Sequence, residues 1–239
     1  MLVSAVPQVV DLSMSKTNIN RFLSLLLFLM AFSPIAVAQY SMRSSDGIAE
    51  TRRNAEKGDA RSQYNLALMY QQGNGVSKDD TEAAKWYRRA AERGDAKAQY
   101  NLALMYQKGK GVSKDNTEAA KWYRRAADQG NAVAQHNLAL MYDHGEGVSK
   151  NDTEAIKWYR RAAEQGNAKA QTNLGVMYGT GVGVKRSYAE AYFWLSLAAA
   201  QGAKIAKANR DLIEKLLTRE QITAAQKRSA AWEPKAETQ

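Results

Sequence analysis

The 239-residue chain has no cysteine. That excludes disulfides and thiolate metal sites, so any fold must hold by packing alone. Histidine is nearly absent as well, with His136 and His144 its two occurrences. Two scattered imidazoles make a poor metal site, and neither has a fixed nucleophile beside it. Pro7, Pro34 and Pro234 are the three prolines, so no helix between them is interrupted. Long apolar runs are missing too. The stretch from Phe22 to Phe32 is followed by Ser33 and Pro34 and falls short of the ~20 residues a membrane-spanning helix needs.

That short run sits in a targeting pattern. Lys16 and Arg21 precede it, and Ala36-Val37-Ala38 forms a small-x-small cleavage site. Residues 1–38 are predicted to be a signal peptide cut after Ala38, with an uncleaved N-terminal anchor as the alternative. Met14 begins a well-formed signal by itself, so translation from Met14 is an alternative to Met1. The expectation is an exported chain, periplasmic or secreted, with no membrane association once the signal is removed. Basic residues outnumber acidic ones by 34 to 24, giving a formal charge of +10. The excess is spread along the chain without a basic cluster interleaved with exposed aromatics, so no nucleic-acid partner is expected. Acidic partners or an anionic envelope polymer fit the charge better.

What the chain does have is a repeat. Gln63, Gln99, Gln135 and Gln171 each open a similar 36-residue passage. Repeats one and two differ at seven of their 36 positions. A fixed period of this length marks a stacked array. Each unit reads as two helices. Leu66, Met69 and Tyr70 have helical spacing in the first, and Gly73 stands where a left-handed cap belongs. Asp79 with Glu82, Asp115 with Glu118, Asn151 with Glu154 and Ser187 with Glu190 read as capping boxes opening the second helices. Asp59, Asp95, Asn131 and Asn167 cap the first helices. Trp86, Trp122, Trp158 and Trp194 share one repeat position, which assigns them to the core between repeats rather than to a binding stripe.

The shared pattern A-x-x-N-L-x-x-M-Y-x-x-G-x-G-V-x-x-D/N-x-x-E-A-x-x-W-Y-x-x-A-A-x-x-G resembles the Sel-like repeat, a relative of the tetratricopeptide repeat. The resemblance covers about residues 49 to 206. It implies an all-α fold, a right-handed α-solenoid of about four helix–turn–helix repeats with capping helices at both ends. The expected organisation is a flexible segment 39–47, a capping helix and run-in 48–62, repeats 63–98, 99–134, 135–170 and 171–206, capping helices 207–232 and a disordered tail 233–239. The fourth copy departs in its second helix, where AEAYFWLSLAAAQG replaces TEAAKWYRRAAEQG. Thr218 with Gln221 reads as a further capping box near the C-terminus.

No chemistry emerges from the motifs. The Gly-x-Gly turns lack Gly-Lys-Ser/Thr and a preceding strand, so they are loop closures. Ser13-x-x-Lys16 has the letters of a serine β-lactamase motif without its Lys-Thr-Gly partner. No catalytic residue, metal ligand or cofactor is predicted. The family resemblance implies a non-catalytic scaffold that binds a peptide or protein in the concave groove lined by first helices. Alternatives are a cell-wall or anionic-polymer binding protein and a β-lactamase-like hydrolase, the last suggested only by cysteine-rich relatives. With Leu66 and Tyr70 turned into the stack, the groove side keeps Tyr64, Asn65, Leu68 and Gln71. Its equivalents are Tyr100, Asn101, Leu104 and Gln107, then His136, Asn137, Leu140 and Asp143, then Thr172, Asn173, Val176 and Gly179. His136 reads as a surface substitution for tyrosine. The ladder Asn65, Asn101, Asn137 and Asn173 is suited to an extended backbone because a carboxamide both donates and accepts. Bonding of each asparagine within its own helix pair is the alternative. Lys85, Arg88, Arg89 and their repeats read as a solvated outer face, with Arg88 pairing to Glu92.

Overall fold

The computed structural model describes residues 47–235. The chain divides after Glu50 into two compact units. Helix α1 (residues 47–56) crosses that division, and all else described belongs to the unit from Thr51 onward. The predicted signal peptide, residues 39–46 and residues 236–239 lie outside the described residues.

Ten further helices follow, without a strand among the described residues. They are α2 (Ala60–Gln72), α3 (Asp80–Glu92), α4 (Ala96–Lys108), α5 (Asn116–Asp128), α6 (Ala132–His144), α7 (Asp152–Glu164), α8 (Ala168–Thr180), α9 (Tyr188–Ala200), α10 (Lys204–Glu214) and α11 (Arg219–Ala230). From α2 to α10 each packs on its neighbour in sequence, most tightly within the pairs α2–α3, α4–α5, α6–α7 and α8–α9. The fold is an α-solenoid.

Local chemistry sets the helix ends. The side chains of Asp59, Asp95, Asn131 and Asn167 accept from a backbone N–H in the first turns of α2, α4, α6 and α8. Asp79 likewise accepts from the N–H groups of Thr81 and Glu82. The predicted boxes at the second helices are only half realised. The N–H of Asp79 donates to the Tyr70 carbonyl, as those of Asp115, Asn151 and Ser187 donate to Tyr106, Tyr142 and Tyr178. With that donor taken, Glu82 turns to Lys85 instead. At α11 the N-cap N–H is free, and Thr218 and Gln221 form the full reciprocal box.

The glycine pair in each turn has two separate jobs. Gly73 ends α2 at φ 76°, in the left-handed region. Gly111, the second glycine of the next turn, lies against α3 of the preceding repeat. A Cβ there would stand 2.0 Å from the Asp80 carbonyl oxygen. The turn therefore also allows two repeats to approach.

Alanines at each helix crossing, such as Ala67, Ala83 and Ala90, are fully buried and let backbones come close. Leu66, Leu102, Leu138 and Leu174 fill the space between and are also fully buried, each contributing roughly 1.5–3 kcal/mol. The four repeat tryptophans belong to this core. A buried polar ladder runs beside it. Gln63, Gln99, Gln135 and Gln171 donate to the carbonyls of Ala55, Ala91, Ala127 and Ala163. The last three also accept from Gln129, Gln165 and Gln201 at 2.7–2.9 Å. The bonds to the alanine carbonyls join successive units, and the glutamine pairs close each repeat on itself, where a buried amide would otherwise be costly.

At the C-terminus, the capping helices expected over 207–232 are α10 and α11, and α10 starts earlier, at Lys204. The chain then turns back, and α11 lies on α9. The tail predicted to be disordered is held at its start. The Lys235 N–H donates to the Glu164 carbonyl, and its ammonium pairs with the Glu164 carboxylate, both at 2.8 Å.

Candidate protein-binding face

The first helices of the repeats carry the candidate side chains, and a tyrosine on each second helix organises them. Tyr87, Tyr123 and Tyr159 are fully buried. Tyr64, Tyr100 and His136 pack against them with ring centroids 5.8–5.9 Å apart. The Tyr87 hydroxyl donates to Gln71, and that of Tyr123 to Gln107, both at 2.9 Å. The Tyr159 hydroxyl donates to Asp143 at 3.3 Å. Burial pushes all three hydroxyls far above their ordinary range, and a hydrogen bond from the asparagine of the following repeat opposes the rise. Those asparagines are Asn101, Asn137 and Asn173. Each boundary thus carries a chain of three polar groups: Gln71–Tyr87–Asn101, Gln107–Tyr123–Asn137 and Asp143–Tyr159–Asn173.

The asparagine ladder is therefore neither wholly free nor bonded within its own helix pair. It bridges repeats. Asn65 is exposed, and Leu68, Leu104 and Leu140 are half-buried. Gln71, Gln107 and Asp143 are engaged inside their own repeats. His136 is not a surface residue: it is 7% exposed. Its ring replaces tyrosine in the stack, and the imidazole lies 3.3 Å from the Asn137 oxygen and 3.5 Å from the Asn173 nitrogen. Burial lowers its pKa, the Asn137 bond resists that, and Lys169 adds to it.

The outer face differs from expectation in its partners. Arg88, Arg124 and Arg160 donate to the hydroxyls of Tyr106, Tyr142 and Tyr178 on the following first helix. They do not pair with glutamates one turn on. Arg89, Arg125 and Arg161 lie over Trp86, Trp122 and Trp158 at 4.4–4.6 Å. Flat guanidinium groups cover aromatic rings well, so two of the three basic ladders have structural work. Lys85, Lys121 and Lys157 stay exposed and pair with a glutamate three residues earlier.

The candidate face opens into a cleft of about 760 Å³ where α6, α8 and α10 meet. His136, Leu140, Thr172 and Asn173 line it, together with Ala168, Lys169, Ala203, Lys204 and Ile205. Sequence reading placed the first four on this face and missed the others. One signal was available. Ala203 stands where the other first helices have Asp or Asn, and α10 has no side-chain cap.

A family profile, the Sel1 repeat, matches residues 60–95, 96–131, 132–167 and 168–202. The chain belongs to the Sel1 repeat family. The matched units start three residues before the passages marked by glutamine, a difference of phase only, since a repeating unit has no intrinsic start. Solved structures agree. A Sel1 repeat protein from Oxalobacter formigenes is 31% identical, with 77% of this chain and 84% of that chain covered and a TM-score of 0.62. A protective antigen present in uropathogenic Escherichia coli strains, displaying an SLR fold, is also 31% identical. The match covers 79% of this chain and 48% of that one, with a TM-score of 0.53. A search of curated proteins gives no match. Sel1 and tetratricopeptide-like repeat proteins typically mediate protein–protein interaction, and the Sel1 scaffold is generally non-enzymatic.

Proposed function

We propose that this Sel1 repeat protein is a non-catalytic scaffold of the periplasm or cell exterior that binds a protein or peptide along its first helices. The observation carrying this reading is the cleft formed by α6, α8 and α10, lined by four residues of the predicted face. Export rests on the signal pattern of residues 1–38, and intact mass of the exported chain should begin at Gln39.

The interaction is tested with tagged protein in envelope extract. Asn65→Arg with Leu140→Arg alters the first-helix face. Lys85→Glu with Lys121→Glu alters the second-helix face. The first pair should abolish capture of a partner that the wild type and the second pair both retain. The opposite pattern, at unchanged melting temperature, overturns the assignment of the face.

A further inference from the structure

The groove between α8 and α10 has a chemistry that names its ligand class. At one end lies the cleft of about 760 Å³. Its apolar lining includes Leu140, Ala168, Ala203 and Ile205, and Ile205 is 72% exposed. Its charged lining residues are Lys169 from α8 and Lys204 from α10, both exposed. No carboxylate lines it. The uncapped first turn of α10 adds positive potential at the same edge.

At the other end lies a hollow of about 190 Å³ lined by Gly175, Val176, Gly179, Thr180, Leu195, Asn209, Leu212 and Ile213. The repeat explains it. Leu195 stands where the earlier repeats have a tyrosine, and Gly179 where they have Gln71, Gln107 or Asp143. Asn209 occupies the asparagine position 36 residues after Asn173. The polar chain of the other boundaries has lost its ring and its acceptor here, while its asparagine remains. Leu212 and Val176 expose apolar surface at the rim.

Resting on the scaffold reading above, we propose that this groove binds an acidic peptide segment carrying a tyrosine. The aspartate or glutamate side chains lie at Lys169 and Lys204, and the ring fills the hollow beside Leu195 and Asn209. Two lysines on separate helices match more than one carboxylate, which favours acidic side chains over a single chain terminus. From Ile205 to Leu212 α10 rises about 10 Å, the span of roughly three extended residues. The ring therefore sits about three residues from the acidic pair.

The test is fluorescence anisotropy on the intact protein with labelled synthetic peptides. The probe holds two glutamates and a tyrosine three residues away, made in both sequence orders. Control peptides replace the glutamates by lysine, or the tyrosine by alanine. The probe should bind at least tenfold more tightly than either control, and added salt should weaken it. Lys169→Glu with Lys204→Glu, both at exposed sites, should weaken binding at least tenfold with an unchanged melting temperature. Gly179→Gln, which puts a side chain back into the hollow, should remove the preference for tyrosine and leave the preference for glutamate. Equal binding of all peptides, or no effect of the lysine changes, overturns the proposal. Displacement by dodecanoate without any peptide preference assigns the groove to an acyl chain and overturns it too. A partner captured through Asn65 and Leu140 but indifferent to Lys169 and Lys204 leaves the scaffold reading standing and removes this one.

Discussion

The second helices α5 and α9 hold the same position in repeats two and four, yet they are built for different neighbours. On α5 the outward side chains are Lys121, Arg124 and Arg125, in water or laid over aromatic rings. On α9 the corresponding residues are Phe193, Ser196 and Leu197, and Phe193 is 1% exposed. Helix α11 covers it, with the Arg228 guanidinium 3.7 Å from the ring centre. Gln226 donates to the Tyr192 hydroxyl at 3.1 Å, and Arg228 pairs with Glu190. The inward sides differ as well. Tyr123 on α5 joins two polar neighbours across a repeat boundary, whereas Leu195 on α9 packs close to Gly175. A repeat keeps its pattern only while its neighbours are repeats; the last one must present an apolar outer face to its cap.

Exchanging residues between these helices should break that comparison most strongly. Phe193→Lys removes a buried ring and places an ammonium under α11. It should cost about 4 kcal/mol or more, read as the midpoint of urea unfolding. The reverse exchange, Lys121→Phe, should leave the midpoint within error, because Lys121 faces solvent. Equal effects would mean that α11 does not cover α9.

Leu195→Tyr should come next. Leu195 packs directly against Gly175, where a Cβ would lie 2.7 Å from the Leu195 Cγ, so a ring built at residue 195 must disturb that contact before it can reach the hollow at Gly179 and Asn209. Overpacking should destabilise by about 1–3 kcal/mol. Tyr123→Phe tests the other helix. It keeps the ring and removes the hydroxyl between Gln107 and Asn137, and should cost about 1 kcal/mol. Asn137→Ala combined with Tyr123→Phe should then cost less than the sum of the separate changes, since both remove the same bond.

The smallest effect is one of pH. His136 is buried, and that burial holds its pKa below the ordinary histidine value. The unfolded chain takes up a proton near pH 6.5, while the folded chain resists until a lower pH. Between those two values the unfolded state binds more protons, so stability falls as pH falls. His136→Tyr, the residue found at Tyr64 and Tyr100, should flatten this dependence between pH 7 and pH 5. An unchanged slope would mean that the imidazole is not buried in the stack.

The 36-residue period was enough by itself to determine the helix pairs and their order. Capping side chains and left-handed glycines are local devices, and their signals lie within a few residues of the ends they set. The aromatic core followed from the same periodicity, because residues repeating with both the helix and the array must face the neighbouring repeat. Tertiary structure decided the partners. Glu82 does not close its box because the Tyr70 carbonyl has already taken the Asp79 N–H. Arg88 reaches a tyrosine 18 residues on rather than a glutamate one turn away. The binding face was legible as a row of positions, but its cleft needed Ala203, Lys204 and Ile205 from beyond the last repeat. Period and capping are properties of neighbours along the chain. Which donor meets which acceptor depends on distances between helices, and these appear only when the array is stacked.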